Sequence, residues 1–278
     1  MRYYIRTSLF RILAIMGLLT LASCSLFDYH PYDGKVTGAT ALNAAHIRQI
    51  EEQCARKDTI RFAVISDTQR WFDEMQRMID KLNSMADTID FVVHCGDFTD
   101  FGATQEFMWQ RDMLQKLQKP YVAIIGNHDC LATGKGVFQS VFGPTDFSFN
   151  AGFIHFVCLN TNALDDPAGN LRVPDFGFLQ TDVQQTDSLQ TPLTILSMHS
   201  APDTEQFNTS SIALFEQTIK QYPHALLALC GHGHHTNVRY PLGDDSIPFY
   251  ECGAANNMNY LVFTVTRQGY EYEAHSLR

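Results

Sequence analysis

The sequence of 278 residues has no cluster of basic residues, no CxxC pair and no apolar run long enough to span a bilayer. Without clustered Lys and Arg, the chain lacks the charge that neutralises nucleic-acid phosphates. Six cysteines besides Cys24 have no paired or regular spacing, so they define no disulfide framework. Hydrophobic residues make up 45% of the chain, which excludes a disordered protein and favours one folded domain.

Residues 1–23 are typical of an export signal, because three arginines precede an apolar core at 12–21 that is too short to span a membrane. The stretch Leu21-Ala22-Ser23-Cys24 resembles the lipobox of bacterial lipoproteins, which implies cleavage before Cys24 and a lipid on that residue. An ordinary signal peptide followed by a chance cysteine is the alternative. We therefore expect a protein of the cell envelope, on the periplasmic or outer-surface side, that is held to the membrane through Cys24.

The predicted organisation has three parts: the signal at 1–23, a tether with an N-terminal helix at 24–58, and one domain at 59–278. Removal of the signal takes away three arginines and no acidic residue, so the formal net charge changes from −10 to −13. A chain this acidic repels polyanions, and we expect no binding to duplex nucleic acid. A local metal site can still act on a small anionic ester.

Strands and helices alternate along the domain. Short apolar runs bounded by polar loops predict strands buried on both faces at 60–66, 91–94, 121–125, 153–159, 193–198 and 225–229. Helices are predicted at 41–56, with Thr40 as its N-cap, and at 71–86, 105–118, 178–188 and 211–221. The alternating segments at 260–266 and 270–275 predict antiparallel strands at the end. This order predicts an α/β domain with layered sheets and helices.

Five of the predicted strands end in polar side chains of the kinds that bind metals. These groups are Ser66-Asp67-Thr68-Gln69, Gly96-Asp97, Gly126-Asn127-His128-Asp129, Met198-His199 and Gly231-His232-Gly233-His234. Any one of them alone is more often a turn or a helix cap. Because ligand sites form at the carboxyl ends of strands in open α/β sheets, the five groups together predict one shared cleft.

The donors in this cleft suit two metal ions. They are carboxylate, amide and imidazole groups without a thiolate, which favours two divalent ions of Mn, Fe or Zn over a structural zinc site. Asp97 is the carboxylate placed to bridge the two ions. Such a pair can activate a bridging hydroxide and neutralise the charge that builds on phosphorus. Asp129 is predicted either to orient a ligand or to cap a turn.

The ordered series resembles the calcineurin-like metallophosphoesterases, whose motifs run D-x-H, G-D, G-N-H-D/E, H and G-H-x-H. The resemblance covers residues 60–234 and implies a four-layer α/β/β/α sandwich. It also implies roles for each position: one ion on Asp67, Gln69, Asp97 and His234, the other on Asp97, Asn127, His199 and His232, with Asp97 and His128 as the catalytic residues. His128 would contact the phosphoryl oxygens or the leaving group.

Gln69 departs from the pattern, because the commonest form of the motif has His there. Residues 98–100 also lack the tyrosine of purple acid phosphatases, which disfavours that branch. We expect hydrolysis of a small phosphomonoester or phosphodiester by a metal-bridging hydroxide. The alternatives are a lipid-anchored binding protein that keeps the fold without catalysis, and a nuclease.

Overall fold

The computed structural model describes residue 16 and residues 30–165, 172–188, 190–243 and 246–277. The described part contains six α-helices: α1 (Leu42–Cys54), α2 (Phe72–Ser84), α3 (Thr104–Leu114), α4 (Gly134–Val141), α5 (Phe176–Gln185) and α6 (Ile212–Ile219). It contains eleven strands: β1 (Thr59–Ile65), β2 (Phe91–His94), β3 (Tyr121–Ala123), β4 (Phe147–Ala151), β5 (Ile154–Leu159), β6 (Leu193–Met198), β7 (Ala225–Cys230), β8 (Asn237–Arg239), β9 (Phe249–Glu251), β10 (Asn259–Thr266) and β11 (Gly269–Ser276). The signal segment and Cys24 lie outside the described residues.

The strands form two sheets with parallel centres. One sheet has the order β11-β10-β1-β2-β3, in which β1, β2 and β3 are parallel and the last two strands of the chain are antiparallel. The other has the order β4-β5-β6-β7-β9-β8, with β5, β6, β7 and β9 parallel and antiparallel strands at both edges. Parallel neighbours place their carboxyl ends at one edge of each sheet.

The two sheets pack face to face around an aromatic core. Phe62 of β1 stacks on Phe91 and Phe263 within its own sheet, with ring centroids 5.3 Å apart in each case. It also meets Phe156 of the other sheet edge-on at 5.3 Å. Rings at this spacing add contact energy beyond the area they bury. The interior of the molecule is therefore the space between the sheets.

Helices cover the outer faces of both sheets. In α2, Met75, Met78, Ile79 and Leu82 are buried, at the spacing that places them on one face of a helix. They belong to the apolar cluster that joins α2, α3 and α4 to the first sheet, whereas Phe215 of α6 belongs to the cluster on the second sheet. The predicted four-layer α/β/β/α sandwich is confirmed.

Local predictions failed at the start of α1 and at three elements that were not predicted. Thr40 is not the N-cap of α1: the helix begins after Ala41, whose φ is 52°, and the amides of Ala41 and Asn43 donate to carbonyls at the end of α4. Helix α4 and strands β4 and β8 lie where no element was predicted. No helix in the described ranges is long and apolar enough to cross a membrane.

Candidate metal centre

The ends of five strands from both sheets converge at one place. Asp67 follows β1, Asp97 follows β2, and His199 follows β6. One ligand atom from each of these three buried residues lies within 4.8 Å of the others. Asn127 follows the extension of β3, and the loop after β7 carries His232 and His234. The cluster therefore joins the two sheets at their carboxyl edges.

Asn127 lies at the centre of one half of the cluster. Its Oδ1 is 2.9 Å from Nε2 of His199 and 3.0 Å from Nδ1 of His232. The same Nε2 of His199 is 3.4 Å from Oδ2 of Asp97. Four donor atoms from four separate loops thus face one another, which is the arrangement that a single cation can satisfy.

Asp67 and His234 form the other half. Nε2 of His234 is 3.2 Å from Oδ1 of Asp67, and the backbone amide of His232 donates to Oδ2 at 3.2 Å. Oδ1 of Asp67 is fully buried, and its contact with His234 lacks hydrogen-bond geometry, so this oxygen has no hydrogen-bond partner among the described residues. A buried carboxylate oxygen without a donor is costly unless a cation neutralises it. This oxygen therefore fits a metal ion.

Gln69 and His128 are both brought to Asp97. The amide of Gln69 donates to the carbonyl of Asp97 at 3.2 Å, and its own carbonyl accepts from the side chain of Gln110. The amide of His128 donates to Oδ1 of Asp97 at 3.0 Å, while its ring Nδ1 lies 2.8 Å from the carbonyl of Asp100. All eight residues selected from the sequence therefore lie around one cleft.

The backbone at the centre is strained. Five residues that are not glycine have left-handed φ angles: Asp67, Gln69, Asp97, His232 and His234, between 32° and 76°. Residues other than glycine rarely adopt left-handed φ angles, and those that do concentrate at functional sites. The tight reversals bring these five residues together at the ends of their strands.

Two glycines permit the close approach of the loops. A Cβ on Gly126 would lie 2.1 Å from Oδ1 of Asp97, and a Cβ on Gly231 would lie 2.0 Å from Oγ of Ser66. A side chain at Gly126 would collide with the backbone of Asp97, and one at Gly231 would displace the side chains of Ser66 and Asp67. The glycines before Asn127 and His232 are therefore required by packing between strand ends rather than by the turns alone.

Buried polar side chains hold the ligand loops from behind. The carboxylate of Asp129 accepts hydrogen bonds from the amides of Phe98, Thr99 and Gly126 at 2.9–3.0 Å, so the predicted orienting role agrees with its contacts. His94 contacts Oγ1 of Thr68 at 3.0 Å and stacks on Phe98. Burial lowers the pKa of His94 to about 3, which keeps the ring neutral.

Charges in the cleft favour a cation. Burial acts to lower the pKa of His199, but the carboxylates of Asp97 and Asp67 outweigh it and raise the pKa to about 10. Burial acts to raise the pKa of Asp97, and the rings of His199 and His128 bring it below its usual value. Both shifts have the same physical cause, which is buried negative charge that needs a positive partner.

The structure adds one group that the sequence did not indicate. Oε1 of Glu205 lies 2.9 Å from Nε2 of His232. Glu205 is in the irregular segment 201–209, 27 positions before its partner, and no motif or periodicity marks it. Only the folded chain brings the two side chains together.

The sequence pattern of the calcineurin-like phosphoesterases matches residues 60–247, which is more than half of the chain. The chain belongs to this family. Members of this calcineurin-like family depend on metal ions, and the buried group of Asp67, Asp97 and His199 can bind one. The family assignment agrees with the resemblance found in the motifs.

One relative is a 3',5'-cyclic-nucleotide phosphodiesterase of Nostoc sp., which is 26% identical over 174 residues. The match covers 61% of this chain and 64% of the relative, so it spans less than two thirds of that protein. Among solved structures, the purple acid phosphatase PPD1 of yellow lupin has a TM-score of 0.58 at 12% identity, covering 80% of this chain and 52% of that one. GAP50, the anchor in the inner membrane complex of Plasmodium, also has a TM-score of 0.58 at 12% identity, covering 79% and 85%. At these identities the solved structures share the fold alone.

Proposed function

We propose that this calcineurin-like protein hydrolyses small phosphate esters with two divalent ions of Mn, Fe or Zn. The observation that carries the proposal is the convergence of buried Asp67, Asp97 and His199, each of which offers a ligand atom within 4.8 Å of the others. When bound, divalent ions would polarise the phosphoryl oxygens and make water a stronger nucleophile at neutral pH. The chain supplies the donors for those ions and the walls that orient the ester.

The contacts support two groups of ligands that share Asp97. Asn127, His199 and His232 meet around Oδ1 of Asn127, and Oδ2 of Asp97 lies beside them. Asp67 pairs with His234 on the other side, and the backbone of Gln69 is fixed to Asp97. We assign the first group to one ion and Asp67, Gln69, Asp97 and His234 to the other.

His128 is proposed to act on the ester itself. Its ring Nδ1 lies against the carbonyl of Asp100, which directs the opposite ring nitrogen away from that loop. In its doubly protonated form, a ring held in this way can donate a hydrogen bond to a phosphoryl oxygen or a proton to the leaving group. The backbone amide of His128 donates to Asp97 and helps to position this proposed ligand, while the ring of the same residue is proposed to contact the substrate.

A 3',5'-cyclic nucleotide is the phosphodiester that we propose to test first. Its support is the similarity to the Nostoc phosphodiesterase. The overall negative charge of the chain disfavours long nucleic acids, which need a basic surface. Single-stranded DNA therefore serves as the comparison substrate that tests the nuclease alternative.

The decisive experiment measures hydrolysis of aryl phosphomonoesters, aryl phosphodiesters and cyclic nucleotides with Mn, Zn, Fe or Mg. Metal content is measured on the same samples. We expect two ions per chain and turnover that the Asp97→Asn and His232→Ala variants lose by at least about a thousandfold, with the fold retained by circular dichroism. An empty site and no turnover after metal supplementation overturn the proposal and favour the binding-protein alternative. Full activity in both variants also overturns it, because hydrolysis would then not depend on this site.

We also propose attachment to the cell envelope through a lipid on Cys24. The support is the lipobox-like sequence that ends at Cys24, together with the basic and apolar segments before it. Labelling of cells with a radioactive fatty acid tests the proposal. The label should appear in the full chain and not in a Cys24→Ser variant, whereas equal labelling of both excludes this anchor.

A further inference from the structure

We infer that Glu205 is a positioning residue that fixes the ring of His232 with Nδ1 directed at the metal centre. The carboxylate Oε1 lies 2.9 Å from Nε2 of the ring, and the opposite nitrogen lies 3.0 Å from Oδ1 of Asn127. The inference rests on the proposed function, because it assigns His232 as a ligand. It adds a residue that the metal-binding motifs do not contain.

The argument starts from the two nitrogens of imidazole. A neutral ring carries its proton on one nitrogen and offers the other as a lone-pair donor, so the partner of one nitrogen decides which atom can bind a metal. Both nitrogens of His232 face oxygens that only accept, but the charged carboxylate of Glu205 accepts more strongly than the amide oxygen of Asn127, so it holds the proton on Nε2. Nδ1 is then left with its lone pair towards Asn127.

His199 shows the same principle with the nitrogens reversed. Its Nδ1 lies 2.7 Å from the carbonyl of Cys95, which fixes the proton there and leaves Nε2 facing Asn127 and Asp97. Both histidines thus present one nitrogen to the same oxygen of Asn127 and give the other to an acceptor. Partners of this kind orient metal-binding histidines and raise their basicity.

Glu205 is held in place although its side chain is 74% exposed. Phe207 is buried against Phe215 of α6 at 5.3 Å, and the hydroxyl of Thr204 donates to the carbonyl of Ala201. These contacts on both sides fix the short backbone segment that carries Glu205, so little chain entropy is lost when its side chain meets His232.

Asp203 provides a matched control. It lies two positions from Glu205 on the same segment and carries the same charge, but its carboxylate pairs with Arg239 rather than with a ligand. Asp203→Asn and Glu205→Gln each remove one negative charge near the cleft. The amide oxygen of Gln can still accept from Nε2, whereas Glu205→Ala has no acceptor.

The test titrates the chelator-treated full protein with Mn²⁺ alone in a calorimeter. We expect Glu205→Ala to weaken one of the two Mn²⁺ binding steps, that of the ion assigned to His232, by about tenfold, the low end of the range for such partners because Glu205 is exposed. Glu205→Gln should lose less than Glu205→Ala, and Asp203→Asn should stay within about twofold of the parent. Thermal unfolding of all four metal-free proteins checks that the fold is unchanged.

A second measurement determines the tautomer of the His232 ring by nitrogen-15 NMR. In metal-free protein labelled with nitrogen-15 histidine, at about pH 8, the His232 signal should report a proton on Nε2 in the parent. Glu205→Ala should give a mixture of the two tautomers, and His232→Gln identifies the signal by its loss.

Two results overturn the inference: unchanged affinity and tautomer in Glu205→Ala, or an equal loss of affinity in Asp203→Asn. The second result would mean that net charge, not the bond, sets the affinity. If the parent binds none of Mn²⁺, Zn²⁺ and Fe²⁺, the proposed function fails. If the parent binds Mn²⁺ and hydrolyses esters while Glu205→Ala matches it, only the role of Glu205 is lost.

Discussion

The carboxylate of Asp129 accepts a hydrogen bond from the backbone amide of Phe98 at 3.0 Å, directly after the proposed bridging ligand Asp97. The same carboxylate accepts from the amides of Thr99 and Gly126, at 3.0 Å and 2.9 Å. One buried side chain therefore fixes the loop of Asp97 to the loop of Asn127. The distance between these two ligands depends on a residue that is not a ligand.

Asp129→Asn should destabilise the fold and weaken metal binding together. The amide nitrogen of Asn cannot accept from the backbone donors, so we expect the free energy of unfolding to fall by about 2–3 kcal/mol. Burial and the charge of Asp97 raise the pKa of Asp129 to about 7, so ionising it costs stability above that pH; unfolding in urea is therefore compared at about pH 6, below the raised pKa. Asp112→Asn, on the exposed face of α3, is the control and should change the free energy by less than about 0.5 kcal/mol. Equal effects of the two substitutions would contradict the role of Asp129.

His128→Gln should lower turnover without removing metal. The backbone amide, not the ring, holds Asp97, so the ligand geometry survives the substitution. We expect kcat to fall about a hundredfold, the usual contribution of a positioned acid or base. Steady-state kinetics and metal analysis on the same preparation check this, and a parallel loss of metal would identify His128 as a ligand instead.

Gln69→His should tighten the binding of Zn²⁺ by about tenfold, because imidazole suits this ion better than an amide oxygen does. The left-handed backbone at Gln69, with a φ of 32°, is one that histidine also adopts. Competition with a chromogenic chelator measures the affinity. Gln69→Ala should weaken binding, and an unchanged affinity in that variant would show that the Gln69 side chain does not bind the ion.

Asp146→Asn should stabilise the protein at neutral and alkaline pH but not at acidic pH. Burial raises the pKa of Asp146 to about 6 from 3.8, so the folded state binds the extra proton between these values. Stability from this group is complete below about pH 4 and is lost as the pH rises through 6. Asn keeps an oxygen for the amide of Asn160, which donates to Asp146 at 3.1 Å. Urea unfolding should therefore show a gap of about 1–3 kcal/mol in favour of Asp146→Asn at about pH 8 and none at about pH 4; a constant gap would contradict this account.

The strands nearest the centre could be predicted because burial on both faces produces continuous apolar runs. The bounds predicted for β2 and β6 agree with Phe91–His94 and Leu193–Met198, and the polar residue after each run marked the cleft. The meeting of ligands from separate sheets followed from the motif series rather than from any one residue.

Other features depended on contacts that no local pattern shows. The start of α1 is set by the carbonyls of Ser140 and Phe142, distant in sequence, which take the place of the predicted cap from Thr40. Strand β4 is an exception. Its buried residues Phe147, Phe149 and Ala151 alternate with less buried ones, so the period of two in the sequence could have predicted it. Glu205 could not have been predicted, because its role depends on a tertiary contact with His232 that no pattern in the sequence shows.

At the residues of the metal centre with left-handed φ angles, a stable backbone and metal binding make opposite demands on the residue type. Glycine at Asp67, Asp97 or His232 would relax the backbone but delete a donor atom from the cleft. Screens that select only for a higher melting temperature should therefore accumulate glycine at these positions in proteins that no longer turn over substrate. Stabilising substitutions that keep activity must therefore lie elsewhere in the sandwich, because any substitution at these left-handed positions removes a proposed metal ligand.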